Sequence, residues 1–177
     1  MLVNFQKCYA IRRAALEPFV RSLTRRLGLG KQEFNICFVN DDGIRRLNAA
    51  YRGKDKATDV LSFAWNDATG DAGASRRLPN LRRAWGEKRS FLGEVVISVE
   101  TARRNAGEEG HSTLNEIRWL ILHGVLHLLG YDHERDDGEM TTRELALREE
   151  LRVADGRAGR KRVKKAKRQR QNRSEKS

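Results

Sequence analysis

Residues 114–133 read LNEIRWLILHGVLHLLGYDH, and two patterns overlap in them. Leu114, Ile117, Leu120, Ile121, Val125, Leu126 and Leu128 crowd most of a helical circumference, which predicts a helix from about residue 112 buried inside a core. Gly130 ends it. The second pattern is His123, His127 and His133, three of the four histidines in the chain. At about 100° per residue, His123 and His127 project within ~40° of each other from one face, one turn apart. Gly130 permits a backbone that side chains resist, so the chain can reverse and return His133 to the same point. Three neutral ring nitrogens that leave one position open are the donor set of a catalytic zinc, at ~2.0–2.1 Å with water in the fourth place. A lone histidine on an apolar helix is more commonly a satisfied core side chain. Three buried without a shared partner would each carry a desolvation cost. The expectation is one Zn2+ per chain on His123, His127 and His133. His111, beside Gly110 and Ser112, is expected to be exposed at a loop or helix start.

Working outward from that helix, residues 2–7 alternate as a short strand and residues 10–27 carry a helical stripe at Ile11, Ala14, Ala15, Phe19, Leu23 and Leu27. Pro18 inside the stripe predicts a kink or a break. Residues 33–39, EFNICFV, read as a largely buried strand, and Asn40-Asp41-Asp42 offers N-cap acceptors for a helix over about 42–51. Strands follow at 58–65 and 93–99, separated by an aperiodic loop at about 66–91 that is basic in its later half. An amphipathic helix over about 138–152 closes the pattern. The fold class is therefore α+β: a single domain with one small mixed β-sheet packed by helices, one of which carries the H-x-x-x-H-x-x-G-x-x-H site.

The rest of the composition bounds the function. The chain of 177 residues is 38% hydrophobic and 34% charged, with a formal net charge of +12. Residues 157–177 alone hold eleven basic residues against one acid, whereas the preceding 156 are nearly balanced. The reading is a folded domain over 1–155 and a basic, disordered tail over 156–177 that gains energy only from polyanions. Cys8 and Cys37 form no C-x-x-C pair and are expected reduced in or near the core. No stretch resembles a signal peptide or a membrane span, so a cytoplasmic protein with no membrane partner is expected.

The histidine spacing is similar to that of metzincin proteases, which place Glu after the first histidine as general base. Here that position is Gly124, which cannot move a proton. Peptide hydrolysis is disfavoured on that ground. With LNAAYRGKDKATDVLSF at 47–63, LGEVVIS at 92–98 and HGVLHLLGYDH at 123–133 in view, the chain resembles the YbeY family of bacterial endoribonucleases over nearly all of residues 1–152. The resemblance implies a zinc-dependent, single-strand-directed endoribonuclease acting in ribosomal RNA processing, at the small-subunit RNA 3′ end, and in ribosome quality control. It implies zinc on His123, His127 and His133 and a functional arginine at Arg52. Ribosomal RNA and the ribosomal small subunit are the implied partners. Ala57 stands where the family usually has proline, and the tail is an addition about which the resemblance says nothing.

On this reading Arg52 is the catalytic arginine, since a guanidinium fork matches two phosphate oxygens and stays protonated at any working pH. The structural alternative is an ion pair with Asp55 or Asp59. Asp132, Asp59 and Glu94 are candidate general bases that each have an alternative structural job: orienting a histidine, capping a turn or sitting at a strand edge. Two other functions compete: a ribosome-assembly or RNA-binding factor with a structural metal, and a metallohydrolase of small phosphoesters or peptides.

Overall fold

A computed structural model of the chain describes residues 1–65, 91–132 and 136–153. At its centre is strand β2 (Glu33–Val39), whose run EFNICFV is buried at five consecutive positions as the sequence predicts. It pairs in parallel with β1 (Leu2–Asn4) on one side and with β4 (Phe91–Ser98) on the other; β3 (Val60–Ala64) joins β4 antiparallel. The sheet is mixed, in the order β1-β2-β4-β3. The register sets Ile36 beside Val95 and Val60 beside Ile97.

Alternation along the strands divides the core into two. Phe34, Ile36, Phe38, Val95 and Ile97 face a large cluster with Leu16, Phe19 and Leu23 of α1 (Arg13–Arg26) and with the apolar side chains of α4 (Thr113–Leu128). Cys37, Leu61, Phe63 and Val96 point to the opposite face, where Ile44 of α2 (Asp41–Arg52) completes a smaller cluster. Fully burying one such aliphatic or aromatic side chain contributes about 1.5–3 kcal/mol. Helices α1 and α4 thus sit on one side of the sheet and α2 on the other. Helix α5 (Glu139–Glu150) packs onto the larger cluster through Met140 and Leu147.

Local signals place most boundaries. Asn40 caps α2, its side chain accepting from Gly43 N at 2.9 Å. Gly130, with φ +88°, follows the end of α4. Three expectations are corrected. Pro18 does not break α1, which runs through it. Cys8 is exposed, and only Cys37 is buried, where burial pushes its thiol up to about 12. A further helix, α3 (Val99–Glu109), follows β4 directly. It buries only Val99, Ala102 and Ala106, side chains too small to give an apolar stripe in the sequence. The expected loop at 66–91, apart from Phe91, and the expected tail lie outside the described residues.

Candidate functional site

Helix α4 is pressed onto β3 and β4, and Gly124 makes that possible. A Cβ at this position would lie 2.5 Å from Val95 Cγ1 and 3.1 Å from Ser62 Oγ. The Ser62 hydroxyl donates to the Gly124 carbonyl at 3.2 Å, tying helix to strand. The residue directly after the first histidine is therefore glycine because the sheet leaves no room for a side chain.

Both histidines have their Nδ1 edge committed. His127 Nδ1 lies 2.9 Å from the Tyr131 carbonyl oxygen, which only accepts, so Nδ1 carries the proton. His123 Nδ1 lies 3.0 Å from Glu144 Oε2 of α5 and donates likewise to the carboxylate. Each neutral ring then presents an unprotonated Nε2, and the two Nε2 atoms face each other at 3.2 Å. Two lone pairs at that distance repel unless a cation lies between them. Ligands of one tetrahedral ion at ~2.05 Å stand ~3.3 Å apart, so the donor set fits a zinc-sized ion. Among the described residues no group of three or more His, Cys, Asp or Glu side chains is gathered as a metal set, and His133 lies outside them.

Glu144 is the neighbour of the histidine pair that the sequence did not reveal. Its Oε1 accepts from Trp119 Nε1 and lies 3.8 Å from Arg148 Nη1, while Arg148 stacks 5.4 Å from the Trp119 ring. Burial alone would raise its carboxyl, but the hydrogen bonds from His123 and Trp119 and the neighbouring charges bring it below its ordinary value. A carboxylate behind a ligating histidine sets its tautomer and strengthens its basicity. Glu144 lies on another helix, outside the histidine motif, and no spacing rule singles it out.

Arg52 ends α2 on the other side of the sheet from α4. Its side chain is exposed and makes no hydrogen bond or ion pair among the described residues. The expected alternative partners are engaged elsewhere: Asp55 pairs with Arg45 at 3.1 Å, and Asp59 accepts from Val60 N at 2.8 Å and Asn105 Nδ2 at 3.4 Å. Asp59 thus holds the start of β3 to α3. Glu94 is buried on the α2 side of the central strands, accepting from Asn35 Nδ2 at 3.1 Å, which is a sheet-internal role. Asp132 is half-buried beside the site. His111 is not exposed as expected: its ring is largely buried, with Nε2 3.1 Å from Glu116 Oε2. Glu116 is fully buried, and burial pushes its carboxyl up to about 6.

Comparison with known proteins finds a match to the family model described as endoribonuclease YbeY over residues 4–152. The endoribonuclease YbeY of Aquifex aeolicus is 41% identical over 139 residues, 78% of this chain and 81% of that protein. That of Desulforamulus reducens is 46% identical over 123 residues, 68% of this chain and 73% of its own. The solution structure of TM1509 from Thermotoga maritima superposes with a TM-score of 0.54 at 25% identity, covering 85% of this chain and 89% of that one.

Proposed function

This chain belongs to the endoribonuclease YbeY family, and from that premise we propose that it is a zinc-dependent, cytoplasmic endoribonuclease that cuts single-stranded RNA during ribosomal RNA processing at the small-subunit 3′ end and in ribosome quality control. The observation that carries the metal part is the pair of Nε2 atoms facing each other at 3.2 Å, each ring held at Nδ1 from behind. His123 and His127, with His133, would hold the ion. When bound, zinc supplies Lewis acidity, neutralising phosphate-oxygen charge and acidifying water.

The protein groups do the rest. The Tyr131 carbonyl and the Glu144 carboxylate keep the protons of His127 and His123 on Nδ1. Arg52, with no competing carboxylate partner among the described residues, is available to grip a phosphate and offset charge that builds on its oxygens in the transition state. Helix α4 and Arg52 lie on opposite faces of the sheet, and β3 is its outermost strand on that side. An RNA strand in contact with both has to pass around a border of the sheet, of which the outer edge of β3 is one. The RNA 2′-hydroxyl can serve as nucleophile, in which case no protein base needs to activate water. No described helix is long and apolar enough to cross a membrane.

The deciding experiment measures metal content and cleavage together. Purified protein should contain close to one zinc per chain and cut single-stranded RNA, and His127→Ala should lose most of both. Wild-type protein that cuts RNA with no transition metal, and takes up none on titration, would refute the metal assignment. Zinc binding without any RNA cleavage would favour the ribosome-assembly alternative.

A further inference from the structure

The face of α4 turned away from the histidines floors a second cleft, of about 320 Å³, between α1 and the end of α5. Arg118 stands there, ~140° around the helix from His123 and ~7.5 Å along it. Arg25, Arg26 and Ser22 of α1 and Glu150 and Arg152 at the end of α5 supply its other polar lining, and Pro18, Phe19 and Leu151 its apolar part. Four arginines and one glutamate thus line the cleft, and Glu150 is engaged by Arg26 at 3.2 Å.

Two features are unexplained by folding. Arg118 donates through one terminal nitrogen to the Ala15 carbonyl at 3.1 Å and its guanidinium lies 5.8 Å from the Phe19 ring centroid, but its Nε is buried with no hydrogen-bond partner among the described residues. A buried polar atom left this way costs stability. Arg152 has φ +53°, the one non-glycine residue with positive φ among the described residues. It closes α5 with its N–H on the Glu149 carbonyl and Val153 N–H on that of Arg148, the place where glycine ordinarily sits. The arginine Cβ is held there at a steric cost glycine does not carry, and Arg152 is one of the residues that line the cleft.

We infer that this cleft binds the phosphate backbone of RNA at a point remote from the cleavage site, without reading its sequence. The inference rests on the nuclease reading above. Guanidinium forks match phosphate oxygens and keep their charge at all working pH values. Beyond Arg152 the sequence adds eleven basic residues and one acid over 157–177, so positive charge continues along the chain and favours a long polyanion over a single small phosphate.

The test uses the full-length protein and a long single-stranded RNA blocked against cleavage by 2′-O-methylation, with affinity read by fluorescence anisotropy at several salt concentrations. Each arginine removed should lower the slope of log K against log salt by ~0.7, a loss of about fivefold in affinity at about 0.1 M salt. Arg152→Gly should weaken binding while the protein melts no lower than wild type, since the glycine relieves the backbone. Arg25→Gln with Arg118→Gln should weaken it further, and should leave cleavage of a short oligonucleotide unchanged. If that pair fails to fold, Arg152→Gly alone decides. Unaltered affinity and salt slope in Arg152→Gly would overturn the inference, as would binding of poly-glutamate, but not RNA, that depends on these arginines. Wild-type protein that cuts no RNA defeats the nuclease reading, whereas binding of the blocked RNA still decides the cleft.

Discussion

His123 and His127 face each other because each is held on its far edge, and the two holders differ in kind. Tyr131 contributes a main-chain carbonyl, which no substitution removes; Glu144 contributes a side chain. Glu144→Gln should therefore keep the fold but weaken zinc binding by ~10–100-fold, the usual cost of losing an outer carboxylate, measured by competition with a chelator. An unchanged zinc affinity would reduce Glu144 to a packing residue. Arg52 sits at the other extreme, exposed and without a described partner. Arg52→Ala should leave the melting temperature and zinc content unaltered and lower RNA cleavage by ~10²–10³, as loss of one transition-state charge donor does. Undiminished cleavage with zinc retained would remove Arg52 from the mechanism.

Between elements, the closest approach is that of α4 to the sheet at Gly124. Gly124→Ala forces a methyl group against Val95 Cγ1 and Ser62 Oγ, an overpacking that costs about 1–3 kcal/mol and lowers the melting temperature by ~2–4 °C per kcal/mol in a domain of this size. Val95→Ala in the same chain should recover part of that loss, a coupling read by a double-mutant cycle. The turn from α3 into α4 carries a different load. Glu116 is buried against His111, with Asn105, Asp59 and Glu109 around it, and its carboxyl is pushed up to about 6. A folded value above the ordinary 4.5 means that the native state holds the proton more tightly. Its contribution to stability is present below about 4.5 and is lost as pH rises through 6. Glu116→Gln, which cannot ionise, should melt with a flatter pH dependence across this window. Parallel pH profiles for the two proteins would show that Glu116 gives up its proton in the folded protein as readily as in the unfolded chain.

At the scale of the whole molecule, a nearly balanced domain continues into a strongly basic terminus. Removing residues 157–177 takes away eleven basic residues and no apolar stripe, and the family match ends at residue 152. The truncated protein should fold and keep its zinc while losing affinity for long RNA, with a flatter salt dependence; an unchanged slope would make the tail a solubilising extension. The sequence by itself determined the elements with long apolar periods, the mixed α+β class and the histidine pair, because periodicity and i,i+4 spacing are local properties of a helix. It did not reveal α3, whose buried alanines carry too little apolar surface to show a stripe. It also missed the burial of His111, which is decided by a glutamate on the next helix. Only the tertiary structure decided which carboxylates have structural work. Glu94 is held by Asn35 and Asp59 by Asn105 across 59 and 46 residues of chain, and Glu144 reaches His123 from 21 residues away. Such partners meet through packing of separate elements, and no local pattern in a sequence records the separation that packing closes.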